Sequence, residues 1–136
     1  MKVFVDTSAW LALEIENDKY HDVAKKYVGS LIDQRAMLFT NDYILSETYT
    51  RLIYDFHLSA AWNFQQKINE GTKKNLSLLE VDELERTQTW KELHKYADHK
   101  LSFADGTVVV HFQMLNLDYI FTFDRHFRDI NLPTNL

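Results

Sequence analysis

Short apolar runs alternate with one-sided helical stretches along this chain. Lys2 to Val5 are mostly β-branched and aromatic, the composition of a strand covered on both faces, and the run stops at Asp6. Met37 to Thr40, Leu76 to Val81 and Tyr119 to Phe123 are similar compact runs, and the last also ends on an aspartate, Asp124. Between the first two strands, Trp10 to Ile15 predict a short helix, and Asn17 and Asp18 start a longer one. In it Tyr20, Val23, Ala24, Tyr27, Val28, Leu31 and Ile32 keep the i, i+3, i+4, i+7 spacing, with Lys25, Lys26 and Asp33 in water. Asn41 and Asp42 cap a third helix, where Ile44, Leu45, Tyr49, Leu52, Ile53 and Phe56 cover more than one face around Glu47. His57 to Ser59 read as a tight connection, with Ser59 capping a helix through Trp62, Phe64 and Ile68 that stops at Gly71.

Two capping boxes mark the remaining helices. Asp82 with Glu85 opens one through Leu84, Trp90, Leu93 and Ala97, and Ser102 with Asp105 opens another. Val108, Val109 and Val110 in the latter favour a strand by propensity. The cap, the length from Ser102 to Asn116 and the ability of Asn116 to end a helix in the left-handed conformation favour a buried helix instead. Ile130 to Pro133 predict a short last strand at the sheet edge, where proline is tolerated. Strands alternating with helices imply an α/β fold with a mainly parallel sheet of about five strands flanked by helices.

Composition narrows the class. The 136 residues make one domain, residues 1–136, with no internal repeat or linker. No apolar run has membrane-spanning length, and MKVFVD enters a strand at once rather than a leader, so a cytoplasmic protein is expected. Absence of cysteine excludes thiolate catalysis and thiolate metal sites. The net charge of −5 argues against holding nucleic acid by bulk electrostatics, so a polyanionic substrate would need a local remedy.

Asp6 and Asp124 end strands, Glu47 sits within an apolar helix and Asp105 occupies the first turn of a buried one. Each has an ordinary structural reading. Asp6, Thr7 or Ser8 can cap the first helix, Glu47 can pair with Arg51, Asp105 can serve only Ser102's box, and Asp124 can belong to the turn toward His126 and Phe127. Together they are harder to dismiss, because strand ends and helix starts in such sheets meet at one edge. Two carboxylates about 4 Å apart repel by roughly 4 kcal/mol at an effective dielectric near 20, so the cluster calls for a divalent cation. Oxygen donors without His or Cys select Mg²⁺ or Mn²⁺, which also binds phosphate oxygens and activates water.

VDTSAWLAL, TNDYILSET and LSFADGTVVVHFQMLNLDYIFTFDRHF, in that order and over nearly the whole chain, resemble the PIN-domain ribonucleases, specifically the VapC-type toxins of toxin-antitoxin pairs. The resemblance implies a Mg²⁺- or Mn²⁺-dependent endoribonuclease, cleaving RNA and neutralised by a cognate VapB-like antitoxin. It carries the acidic quartet onto Asp6, Glu47, Asp105 and Asp124, with the metal held most directly by Asp6 and Asp105, and a hydroxyl matching Thr7 or Ser8. Ser102 and Arg125 are secondary candidates, and Arg125 and His126 follow Asp124 closely enough to meet RNA phosphate. Tyr43, Tyr49, Tyr54, Phe56, Trp62 and Phe64 predict association, as a homodimer or through an antitoxin groove. Two other classes compete: a catalytically silent PIN-like module that only binds protein, and an aspartyl-phosphate fold. The latter needs an adjacent acidic pair or a second Asp two residues on, which DTS lacks.

Overall fold

The structure is a computed structural model that describes residues 1–135. In chain order its elements are β1 (Lys2–Val5), α1 (Thr7–Glu14), α2 (His21–Asp33), β2 (Met37–Asn41), α3 (Asp42–Asp55), α4 (Leu58–Thr72) and β3 (Leu76–Leu79). Then come α5 (Glu83–Lys95), a 3-10 turn at Ala97–His99, α6 (Phe103–Met114), β4 (Tyr119–Phe121) and α7 (His126–Asp129). The sheet runs β3-β2-β1-β4 and every pairing is parallel. β1 is central, with Val3 opposite Leu38 on one side and Tyr119 on the other. Its apolar run is continuous for that reason: Val3, Phe4 and Val5 are buried from both faces.

The sheet has four strands among the described residues, one fewer than the sequence suggests. Beyond β4 the chain turns through α7, and Asn131 takes a left-handed conformation (φ 66°). The expected strand at Ile130 to Pro133 therefore shrinks to one parallel bridge between Ile120 and Thr134. Pro133 has no N–H for a ladder, although its carbonyl accepts from the Ile120 N–H.

Both capping boxes form as the spacing predicts, and Asn41 accepts from the Ile44 N–H at the start of α3. Helix wins over strand for the valine run, whose residues are at most 1% exposed, and Asn116 is left-handed (φ 50°). Other boundaries differ. α1 starts directly after Asp6, β3 ends before Val81, and α5 stops before Ala97. The cap of α4 is His57, whose Nδ1 accepts from the Ala60 N–H, rather than Ser59. The apolar stripe of α2 is narrower than its periodicity implies: Ala24 and Leu31 are buried, while Val23 and Ile32 stand in solvent. Gly106 sets how closely α6 meets α5, since a Cβ there would lie 2.8 Å from the Thr89 methyl and 3.2 Å from Leu93 Cδ2.

Candidate active site

The parallel sheet brings β1 and β4 side by side and ends both at one edge. Asp6 continues their pairing by one residue, its N–H donating to the Phe121 carbonyl at 3.0 Å. Its own carbonyl accepts from Ala9 and Trp10, so the Asp6 backbone starts α1. The Asp6 side chain makes no capping bond and is only 3% exposed. The ordinary explanation of this carboxylate, as the cap of α1, therefore fails.

What holds the side chain is Thr122. Its hydroxyl donates to Asp6 Oδ2 at 2.9 Å, across 116 positions of sequence. With its proton so used, Thr122 Oγ1 accepts from Ser8 Oγ (3.0 Å) and from the Asp124 N–H (3.1 Å). Ser8 in turn accepts from the Phe123 N–H at 2.8 Å. One small network thus locks Asp6 to the loop that carries Asp124. Ser8 belongs to that network, whereas Thr7 Oγ1 is buried with no hydrogen-bond partner.

Asp105 is placed by the first turn of α6. Its Oδ2 accepts from the Ser102 N–H and its own N–H donates to Ser102 Oγ, each at 3.0 Å, so it is a helix cap. That same Oδ2 stands 3.4 Å from His126 Nδ1. Asp105 is buried, while Glu47 and Asp124 are exposed. Arg51 makes its ion pair with Asp55 (3.2 Å) rather than with Glu47.

Asp6 and Glu47 both lie within reach of the charges of Asp105 and Asp124. Burial, and next the charge of Asp105, push the Asp6 carboxyl from 3.8 up to about 7; Asp124 adds to the rise, while Thr122 and the Thr7 backbone oppose it. Burial, then Asp105, also raise Glu47; Asp124 raises it further and Arg51 and His126 offset part of this. Repulsion among the group is present as the sequence implies, but burial is the larger cause at both residues. The carboxylates are not drawn together, however. Among the described residues no three His, Asp or Glu side chains stand where one metal ion could bind them all.

Glu47 and Asp124 line a cleft of about 340 Å³ with Thr7, Ser8, Leu11, Asp18, Lys19, Tyr20, Arg51 and Phe123. Tyr20 lies flat on Phe123 (ring centroids 4.5 Å, planes 5° apart), and Lys19 Nζ sits 4.9 Å from the Tyr20 ring centre. On its other side Glu47 borders a second cavity, about 410 Å³, with Asp42, Tyr43 and Ser46. Arg125 is exposed at the start of α7. Sequence reasoning missed Thr122, although it stands two residues before Asp124 and so on the same side of an extended chain. It missed Lys19 and Tyr20 as cleft residues, and their loop position carries no local signal. His126 was seen only as a phosphate contact.

Comparison with known proteins identifies the family and the fold. The family model described as PIN domain matches residues 3–132. The 23S rRNA-specific endonuclease VapC20 of two Mycobacterium tuberculosis strains is 25% identical over 126 residues, covering 92% of this chain and 91% of the relative. The crystal structure of M. tuberculosis VapC20, a sarcin-ricin loop cleaving toxin, superposes with a TM-score of 0.83 at 25% identity, over 96% of this chain and 95% of that one. VapBC2 from Rickettsia felis, bound to a promoter DNA fragment, gives a TM-score of 0.70 at 15% identity, over 99% of this chain and 98% of that one. FitAcB from Neisseria gonorrhoeae gives 0.67 at 13% identity, over 97% of this chain and 95% of that one. These last two show a shared fold.

Proposed function

Because the chain belongs to the PIN-domain family, we propose that it is a metal-dependent endoribonuclease, a VapC-like toxin that hydrolyses RNA phosphodiester bonds and is restrained by a cognate VapB-like antitoxin. Similarity to VapC20 supports the nuclease activity and makes structured ribosomal RNA the first substrate to try. One observation carries the reading: Asp6 is buried, does not cap its helix, and is raised to about 7 in part by Asp105. A domain that only bound protein would have no reason to retain that repulsion, and this speaks against the silent-module reading.

The donor set fits a hard divalent cation. Asp6, Glu47, Asp105 and Asp124 offer oxygen alone, and the charges of Asp105 and Asp124 raise both Asp6 and Glu47 despite the partial offset by their neighbours. Asp6 and Asp105, both buried, would hold the ion most directly, with the exposed Asp124 and Glu47 as further oxygen donors. The chemistry that Mg²⁺ or Mn²⁺ would supply there is a water of lowered pKa and an offset to the phosphate charge. The protein's own groups prepare the rest. Thr122 and Ser102 hold Asp6 and Asp105 in fixed orientations. Lys19 and Arg51 bring positive charge into the cleft that Glu47 and Asp124 line, where phosphates flanking the cut bond would lie, and His126 of α7 stands 3.4 Å from Asp105.

Association is part of the proposal. Tyr54, Phe56 and Trp62 are 82%, 49% and 61% exposed around the α3–α4 turn, whereas Phe64 is core, as a T-shaped partner of Trp10 and Tyr49. That surface suits a homodimer contact or the antitoxin. Among the described residues no helix is long and apolar enough to cross a membrane. The deciding experiment incubates purified protein with 23S rRNA and with other cellular RNAs, in Mg²⁺, Mn²⁺ or EDTA. Discrete cleavage that needs the metal and is blocked by the product of a neighbouring small reading frame is expected. No cleavage of any RNA in either metal would overturn the reading.

A further inference from the structure

Three aromatic rings from three helices stand in a row beside the site. Tyr43 of α3 lies 5.5 Å from Phe103 of α6, and Phe103 lies 5.1 Å from Trp90 of α5. Trp90 is 56% exposed. Its ring edge meets Phe103 at 61°, while the closest approach of α5 to α6 is made elsewhere, by Thr89 and Leu93 at Gly106. The row begins at the candidate active site: Tyr43 precedes Glu47 by one helical turn and shares with it the cavity of about 410 Å³. Phe103 lies inside the Ser102 to Asp105 capping box.

We propose that Tyr43, Phe103 and Trp90 form a stacking platform for an unpaired base of the RNA, beside the nucleotide whose phosphate is cut. The proposal rests on the ribonuclease reading for the identity of its ligand. The chemistry of the row favours a base over a protein partner. The row is wholly aromatic and meets Glu47 at the cavity it shares with Tyr43, whereas the patch around the α3–α4 turn mixes Ile53 and Leu58 with its rings. Aromatic faces accept any base, but only one freed from a duplex. The platform thus takes its base from a loop, bulge or single strand. It leaves the phosphates to the opposite flank of Glu47, where Lys19 and Arg51 lie.

Trp90 supplies its own probe. Of the other tryptophans Trp10 is 8% exposed and Trp62 is 61% exposed, so a Trp62→Phe protein reports chiefly on Trp90 from the surface. That full-length protein, in EDTA at low ionic strength, is titrated with a stem-loop RNA carrying unpaired purines and with a fully paired duplex of the same loop sequence. The loop is expected to quench Trp90 emission and to bind about tenfold more tightly than the duplex. Trp90→Ala and Tyr43→Ala should each weaken loop binding by roughly five- to a hundredfold, as loss of one stacked base predicts. Trp90→Phe should restore most of it, every variant being compared in the same Trp62→Phe background. Equal binding of loop and duplex, or unaltered loop affinity in both alanine variants, overturns the platform. So does a Trp90→Ala protein that loses self-association while keeping its RNA affinity. Metal-dependent cleavage with an unresponsive Trp90 would defeat the platform alone. A responsive Trp90 without cleavage would defeat the hydrolysis reading and leave the platform standing.

Discussion

Asp6→Asn should stabilise the metal-free protein at high pH, an unusual outcome for a change at a buried polar site. The carboxyl is raised from 3.8 to about 7, and at about 1.36 kcal/mol per unit this corresponds to about 4 kcal/mol against ionising it in the native state. The native state binds more protons than the unfolded chain between 3.8 and about 7, so the parent loses stability as pH rises through that window. Asparagine removes the charge and keeps an oxygen to accept from Thr122. It also buries an NH₂ group, which costs about 1–3 kcal/mol if unpaired. The net expectation at pH 8 in EDTA is a gain of about 1–3 kcal/mol, or a melting temperature higher by about 3–10 °C. Near pH 4.5 the gain should vanish, because Asp6 is already protonated in the native protein. Saturating Mg²⁺ should reverse the order, since only the parent gains fully from binding the ion. Thermal melts by circular dichroism at pH 4.5 and 8, in EDTA and in Mg²⁺, read all of these. An Asp6→Asn protein less stable than the parent by 2 kcal/mol or more at pH 8 in EDTA would mean that the carboxylate is a satisfied structural group.

Other expectations concern neighbouring residues. Asp105→Asn keeps an acceptor for the Ser102 N–H and should cost about 1 kcal/mol or less, yet lower RNA cleavage on the order of a hundredfold or more in Mg²⁺. In the same variant the Asp6 carboxyl, followed by NMR titration, should fall from its value of about 7, because Asp105 is the largest charge acting on it. Glu80→Gln, on the exposed segment between β3 and α5, should leave cleavage unchanged, and a comparable loss there would remove the distinction on which the site rests. Thr122→Val deprives buried Asp6 of its donor and should cost about 1–3 kcal/mol while raising the Mg²⁺ concentration needed for cleavage. Gly106→Ala drives a methyl to 2.8 Å from Thr89 and should cost about 1–3 kcal/mol by chemical denaturation; a neutral result would show that α5 moves freely over α6.

The sequence alone settled the features that depend on neighbours a few residues apart. Both capping boxes and the left-handed Asn116 follow from i, i+3 spacing and side-chain chemistry, and they form as read. The unbroken apolar run of β1 announced its central place, and the strand-end aspartates pointed to the right edge of the sheet. Family motifs, also local, identified the PIN domain. Periodicity was less informative about cover, because it shows that a helix has an apolar face but not how much of that face a neighbour reaches. Val23, Ile32, Leu84 and Trp90 are all apolar and all more than half exposed.

Only the tertiary structure decided what Asp6 does. The cap that Asp105 makes is legible in its spacing from Ser102. Asp6 also stands at a helix start, and only the fold leaves it uncapped in a buried network. Thr122 could not be paired with Asp6 from pattern, because a hydrogen bond across 116 positions exists only once β4 lies beside β1. The approach of His126 to Asp105, and of Lys19 to the cleft, depend in the same way on where loops are carried by the elements they join. Local hydrogen bonding is encoded by short spacing, and that is legible. Desolvation and repulsion arise from what packing brings near, and no single stretch of chain contains them.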